Sequence, residues 1–322
     1  MESRALGTSS LHVSVVGLGC NNFGRVGTRS EQQEGTTAVV DAALAAGVTF
    51  FDTADVYGKE FGLSERMLGV ALRGRRDSAI IATKFGHTEL APAGDAPVGS
   101  RNHIRAAVEG SLERLGVETI DLYQQHTPDP ATPVEETLAA LAELVQEGKV
   151  REIGNSNFSP AQLEEADTAA RTLGLPRFVS AQNQYNLLDR EIELELLPVA
   201  ERLGIGFLPY FPLANGLFTG KFTRTERPAD SRIARQRPHV ADDAPWDAIE
   251  AYAAFCADRG IPILEATMGW LLAQPAMSSV IAGATRPEQV RQNAAAGSGW
   301  RPSSADLAAI DTFFPAAGAA LS

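Results

Sequence analysis

The stretch Thr119–Asn157, TIDLYQQHTPDPATPVEETLAALAELVQEGKVREIGNSN, decides the fold. Its two ends, TIDLYQQH (119–126) and VREIGNSN (150–157), read as short strands. Between them the apolar period lengthens to that of a helix, at Val134, Leu138, Leu141 and Val145. Thr132 is expected to cap this helix, with Pro133 at its first position and Glu135 reaching back in a capping box. Gly148 is a natural stop. Strand, helix and strand in this order form a parallel crossover unit.

The same unit recurs on both sides. Further strand candidates are VSVVGLG (13–19), VTFFDTA (48–54), AIIATKFG (79–86), FVSAQNQ (178–184), IGFLPYF (205–211) and SSVIAGA (278–284). They are rich in Val, Ile and Phe and nearly uninterrupted, as strands buried on both faces are. GTTAVVDAALAAG and IRAAVEGSLERLG carry helical periods, and SPAQLEEADTAARTLG adds a second capping box through Ser159, Pro160 and Gln162, with Gly174 at its end. About eight such units predict an α/β fold of the (β/α)8 TIM-barrel type, with an open doubly wound sheet as the alternative. No Pro/Gly/Ser-rich linker splits the chain, so residues 1–322 are expected to form one barrel domain. ALGTSSLHV (5–13) reads as an N-terminal β-hairpin that would plug the barrel bottom. Strands 7 and 8 are separated by a long loop, in which ANGLFTGKFTRTERPADSRIARQRPHVADDAPW (214–246) is Arg-rich, contains three prolines and has no steady period. Such a segment is either a disordered surface loop or a lid. As a lid, residues 222–245 would become ordered when a ligand binds.

The 322 residues are 44 % hydrophobic and 21 % charged, which supplies ample core. A net charge of −12 argues against nucleic-acid binding, since a phosphate backbone would be repelled. Two cysteines, Cys20 and Cys256, without a CxxC, fit a reducing compartment and neither a disulfide framework nor a zinc site. No signal peptide is visible in MESRALGTSS, and no apolar run approaches a membrane span, so a cytoplasmic protein is expected.

Barrels of this kind carry their chemistry where the strands end. The second strand ends on Asp52, with Tyr57 beyond it; the third on Lys84; the fourth on His126. The fifth ends on Asn155, Ser156 and Asn157, the sixth on Gln182 and Asn183, the seventh on Tyr210, and the eighth on Gly283, Ala284 and Thr285. Singly, each has a plain reading: a lysine after a strand is usually solvated, a loop tyrosine usually packs, and Asp52 alone could cap a helix. Together, an acid, a lysine, a tyrosine and a histidine at one end of neighbouring strands point to proton transfer. A free tyrosine has a pKa of about 10. A nearby ammonium favours the phenolate, and a drop of about 2–3 units corresponds to roughly 3–4 kcal/mol. Asp52 is expected to pair with Lys84, and His126 to donate a hydrogen bond to a substrate oxygen. Such a site protonates an oxygen as charge develops on it. Carbonyl reduction needs that step, with hydride from a cofactor. GLGCNNFG (17–24) does not meet the dinucleotide fingerprint, because its third glycine comes late and no helix follows at once. It reads as a tight turn that approaches a ligand closely.

The ordered motifs GLGCNNFG, FFDTADVYG, SERMLG, IATKFG, IDLYQQH, GNSNFS, QNQYNLL, PYFPLANGLFTGKF and IAGATRPEQVRQNAAA cover almost the whole chain, which resembles the aldo-keto reductases, NAD(P)H-dependent enzymes on a (β/α)8 barrel. The resemblance implies a catalytic tetrad of Asp52, Tyr57, Lys84 and His126, with Tyr57 as the general acid. It implies that Ser156, Asn157 and Gln182 hold the nicotinamide carboxamide and that Tyr210 stacks on the ring. Gly19 and Cys20 join the cofactor contacts. Pro212, Leu213, Gly216 and Lys221 would embrace the pyrophosphate; Gly283, Thr285, Arg286, Gln289 and Asn293 would take the adenine end and a 2′-phosphate. A helix N-terminus at TRPEQ with Arg286 beside it favours NADPH over NADH. The same residues also read as an ordinary capping box of Thr285 with Glu288, and both can hold.

The resemblance thus implies an NADPH-dependent reductase of aldehydes or ketones to alcohols, acting as a monomer on a small carbonyl substrate. An NADPH-binding regulatory or redox-sensing subunit with little turnover is the alternative. A metal-dependent hydrolase is weaker, because Asp52 and His126 lack a matching third ligand, and no metal is expected. Two departures from the family pattern stand out: Gln125 before the histidine, where an aliphatic residue is frequent, and Phe211 after the stacking tyrosine, where Ser is frequent. Substrate choice would be set by the loops Asn21–Arg25 and His87–Gly99 and by the lid.

Overall fold

The computed structural model describes residues 1–90, 96–229, 231–316 and 318. The chain starts with a hairpin in which β1 (Ser3–Ala5) pairs antiparallel with β2 (His12–Ser14). Eight parallel strands follow: β3 (Val16–Gly19), β4 (Phe50–Asp52), β5 (Ile80–Phe85), β6 (Ile120–Gln125), β7 (Val150–Ser156), β8 (Ser180–Gln182), β9 (Gly206–Phe207) and β10 (Val280–Gly283). Their order is β10-β3-β4-β5-β6-β7-β8-β9. The ends of this row meet: the Phe207 amide donates to the Ala276 carbonyl at 2.8 Å, and the Ser278 amide to the Phe207 carbonyl at 3.1 Å. The architecture is the expected (β/α)8 barrel, and the open sheet is excluded.

Helices α1 (Gln33–Ala45), α2 (Leu63–Ala71), α3 (Arg101–Leu115), α4 (Val134–Gln146), α5 (Pro160–Leu173) and α6 (Leu196–Leu203) return the chain between the strands. After β9 come α7 (Arg232–Gln236), α8 (Pro238–Asp242), α9 (Trp246–Asp258) and α10 (Ile263–Leu272); α11 (Pro287–Ser298) and α12 (Ser304–Phe313) close the chain. The capping box at α5 forms as read, with the Ser159 hydroxyl accepting from the Gln162 amide and Gly174 left-handed at φ 64°. The one expected at α4 does not. Its N-cap is Pro133, with no side-chain cap, and the Thr132 hydroxyl donates instead to Asp129 at 2.8 Å. Asp129 outcompetes the helix because it lies within one turn and carries a full charge.

Side chains alternate along each strand. Phe50, Ala82, Leu122, Val179, Leu208 and Ile281 pack inside the barrel, and Leu6, Leu11 and Val13 of the hairpin segment join them. The hairpin therefore closes the bottom, as expected. Phe51, Ile81, Tyr123 and Ile153 belong to the shell between strands and helices. Two residues above the interior apolar layer, the same face presents Asp52, Lys84 and Gln124. The alternation thus aims these polar groups at one end of the barrel.

The stretch after β9 differs from the irregular run expected of it. Its described residues include α7 and α8, and Phe222, Ile233 and Ala241 are anchored in the core. No helix among the described residues is long and apolar enough to cross a membrane.

Candidate active site

Lys84 is fully buried and Asp52 is 3 % exposed. The Lys84 ammonium donates to both Asp52 oxygens, at 2.8 and 2.6 Å, and to the Thr53 carbonyl at 3.0 Å. Two amides complete the carboxylate's shell: Gln182 Nε2 donates to Oδ1 at 2.9 Å and Gln124 Nε2 to the same oxygen at 3.3 Å. A buried ion pair is tolerated when its remaining lone pairs are satisfied, and here they are. Burial would lower the lysine pKa, but Asp52 and Tyr57 together raise it, so the ammonium stays charged.

Tyr57 lies in the loop after β4, part-exposed at the mouth, with the Lys84 ammonium 5.1 Å from its ring centroid. Its pKa corrects the expectation. The protein packed around it pushes the phenol above its ordinary value; Lys84 pulls it down and Asp52 pushes it up again. Lys84 exerts the expected pull, but its charge is largely spent on Asp52 and burial wins. The phenol is therefore protonated at neutral pH, the state a proton donor needs. His126 stands edge-on to Tyr57, with ring centroids 5.7 Å apart. Burial, then Lys84, then His87 hold its pKa well below the imidazole range, so it is neutral and carries one N–H. Its Nδ1 is buried without a partner. His87, in the loop after β5, meets the His126 ring edge-on at 4.7 Å. Part of the expected substrate loop His87–Gly99, residues 91–95, lies outside the described residues.

Around this centre the strand ends bind one another. The Ser156 hydroxyl donates to the Gln182 carbonyl at 2.8 Å. Asn157, left-handed at φ 62°, donates to the His126 carbonyl at 2.9 Å and accepts from the Tyr210 hydroxyl at 2.9 Å. Asn155 Oδ1 and Asn183 Oδ1 are buried without partners. After Tyr210 the backbone turns left-handed at Phe211, Ala214, Asn215 and Gly216, with φ of 52°, 45°, 59° and 112°. Three of these are not glycine, and such strain persists only where the surroundings over-determine it. Pro212 is buried, Leu213 part-buried and Lys221 exposed in this segment.

Gly19 and Gly283 are register partners on β3 and β10. A Cβ on Gly283 would meet Asn22 Nδ2 at 2.9 Å. Cys20 is fully buried in the shell, where burial raises its thiol pKa well up, so only its backbone faces the site's end of the strand. The expected Thr285–Glu288 capping box is replaced: the Thr285 amide and hydroxyl donate to Gln289 Oε1 at 2.8 and 3.1 Å. Arg286 occupies the N-cap position of α11, and Asn293 is buried within that helix. Among the described residues no three His, Cys, Asp or Glu cluster as a metal site.

The sequence reading missed Gln124 and His87. Gln124 was legible in the alternation of β6, since it lies two residues from both Leu122 and His126. Gln125, singled out instead, has the register parity of Tyr123 and is buried with its Oε1 unpartnered.

The model of the Aldo/keto reductase family matches residues 15–314. The chain is 33 % identical to the L-glyceraldehyde 3-phosphate reductase of Escherichia coli (strain K12), over 97 % of this chain and 92 % of that protein. It is 35 % identical to a probable aldo-keto reductase 1 of Glycine max, over 89 % and 82 %. A probable voltage-gated potassium channel subunit beta of Oryza sativa subsp. japonica is 33 % identical, over 91 % and 90 %.

Proposed function

The chain belongs to the aldo/keto reductase family and is an NAD(P)H-dependent oxidoreductase acting on small molecules, and from that premise we propose that it reduces aldehydes or ketones to alcohols with NADPH, Tyr57 being the general acid. The observation that carries this reading is the buried Lys84–Asp52 pair with the Tyr57 ring over its ammonium. The bound nicotinamide supplies the hydride. Tyr57 gives its proton to the carbonyl oxygen, and the Lys84 ammonium stabilises the phenolate left behind. Asp52 keeps that ammonium charged and in place. His126, neutral, offers its N–H to the same oxygen and cannot compete as an acid at neutral pH.

The cofactor fits what the site offers. Asn155 and Asn183 present buried amide oxygens without donors, as a carboxamide requires, beside Ser156, Asn157 and Gln182. Tyr210 borders them with a flat ring. The left-handed turn from Ala214 to Gly216, flanked by Pro212, Leu213 and Lys221, has the backbone form that receives phosphate oxygens. Thr285, Arg286, Gln289 and Asn293 at the start of α11 suit a 2′-phosphate, which is the ground for NADPH over NADH. The working unit is the whole chain, residues 1–322, as one barrel domain.

The test is NADPH oxidation, followed by absorbance with a panel of aldehydes and ketones, in wild type and Tyr57→Phe. Turnover should fall at least about 100-fold in the variant, while NADPH binding persists. Retained turnover would remove Tyr57 from its role. A second reading, an NADPH-binding redox sensor with little turnover, is favoured by the rice relative named as a channel subunit. Tight NADPH binding without oxidation by any carbonyl would select it.

A further inference from the structure

Phe211, one of the two departures from the family pattern, is a platform for cations. Its ring carries the Arg232 guanidinium at 5.0 Å and the Arg237 guanidinium at 5.2 Å, and it meets Tyr210 edge-on at 5.3 Å. Arg25, from the loop after β3, lies within electrostatic reach of both. The lid and that loop are tied together, since Arg235 donates to the Gly27 carbonyl across 208 residues of chain. Among the described residues, none of Arg25, Arg232 and Arg237 pairs with a carboxylate. Arg25 donates to the Asn21 carbonyl at 3.2 Å, and Arg232 Nε is buried without a hydrogen-bond partner.

Each guanidinium makes the others less comfortable. Burial, then Arg25 and Arg237, bring Arg232 down to about 10. Burial, then Arg237, lower Arg25 as well. Tyr57 opposes both shifts, so Arg25 and Arg232 lie within electrostatic reach of the phenol. In a chain of net charge −12, three half-buried arginines are gathered with no carboxylate paired to them among the described residues. Like charges held together lose stability unless an anion joins them. Guanidinium forks match carboxylate and phosphate oxygens in pairs.

We propose that Arg25, Arg232 and Arg237 form an anion subsite for the substrate beside Tyr57, so that the preferred substrates are small carbonyl compounds carrying a phosphate or a carboxylate. This rests on the reductase reading. It makes the lid a specificity element: α7 and α8 bring two of the three cations, and Arg25 meets them from the opposite loop. The cofactor's own phosphates are the competing source of the anion, and the experiment separates the two.

The catalytic efficiency kcat/KM is measured for glyceraldehyde 3-phosphate against glyceraldehyde, and for succinic semialdehyde against butanal. Wild type is compared with Arg25→Gln, Arg237→Gln and the charge-conserving Arg25→Lys, and the Kd for NADPH is read by fluorescence. Wild type should favour the anionic member of each pair at least tenfold. The Gln variants should lose at least tenfold more on the anionic member than on the neutral one, with Arg25→Lys between, while the NADPH Kd moves less than threefold. Equal losses on both members together with a tenfold weaker NADPH Kd would assign the arginines to the cofactor and overturn the proposal. An absence of anionic preference in wild type would also overturn it. No turnover with any carbonyl would sink the reductase reading instead. The subsite is then judged by inorganic phosphate: a rise in Tm in wild type that is lost in Arg25→Gln/Arg237→Gln supports it, and no rise overturns it.

Discussion

Asp52 and Asp55 leave the same strand end, and the protein treats them in opposite ways. Asp52 is ringed by donors from Lys84, Gln124 and Gln182. Asp55 is equally buried, yet its Oδ1 has no partner. Burial, and then the nearby Glu65 carboxylate, push its pKa up to about 7, against weaker pulls from Arg114 and Lys84. The consequence for stability has a definite sign. A carboxyl that holds its proton more tightly when folded stabilises the native state below the unfolded pKa of about 4. That contribution is lost as the pH rises to about 7. Between pH 5 and 7 the loss is about 2 kcal/mol. Asp55→Asn cannot ionise, so urea unfolding of the variant should lack this decline and gain on wild type at pH 8 relative to pH 5. Parallel pH profiles for the two proteins would show that Asp55 is not the titrating group. The apolar run before Asp52 announces a charge in need of a partner, and Lys84, at the end of the next strand, is that partner. The fate of Asp55 was not legible, because Glu65, ten residues on, reaches it only after α2 has folded back. For Tyr57 likewise, the pull of Lys84 was legible but not the larger opposing effect of burial, which is a sum over the whole surroundings.

At the level of elements, the strands were legible because burial on both faces leaves uninterrupted apolar runs, and their ends fell where polar residues begin. The caps were legible only in part. Ser159 and Thr132 stand in matching positions before a proline, and only Ser159 engages its helix. Ser159→Ala should therefore cost about 1 kcal/mol in denaturant unfolding. Thr132→Ala removes no cap and should cost less, since the Asp129 oxygen that loses this donor still accepts from the Gly99 amide at 2.7 Å. Equal losses would mean that Thr132 caps α4 in solution after all. The stretch after β9 shows the opposite failure. Its composition reads as irregular, with three prolines and many arginines, because two five-residue helices are too short to display a period. Their stability comes instead from Ile233 and Ala241 in the core, a tertiary effect that no local pattern carries. The meeting of Arg25 with Arg232 and Arg237 is hidden for the same reason, since it exists only once the barrel has closed and brought the first and seventh loops together.

Across the whole molecule, chemistry and stability occupy opposite ends of the barrel. The polar layer of Asp52, Lys84 and Gln124 sits one step above the apolar layer of Phe50, Ala82 and Leu122, and below that layer the hairpin inserts Leu6, Leu11 and Val13. The plug was legible from an alternating segment too short to stand alone, which must bury its apolar side against something. Leu6 is fully buried. Next to it Gly7 is left-handed at φ 57°, and a Cβ there would meet the Val179 carbonyl at 2.4 Å, so the hairpin turn is pressed directly against the barrel floor. Leu6→Ala should leave a cavity that the rigid floor cannot collapse to fill, costing about 2–5 kcal/mol in unfolding free energy. Because the apolar layer of Phe50, Ala82 and Leu122 lies between the cavity and the Lys84–Asp52 pair, kcat/KM per folded molecule should change by less than about twofold, well below the tenfold that 1.4 kcal/mol would produce. A large fall in kcat/KM with unchanged stability would reverse this division and make the hairpin part of the catalytic machinery. A fall in both would show that strain at the floor is transmitted through the packed interior to the Lys84–Asp52 pair, as close packing permits when no layer can yield.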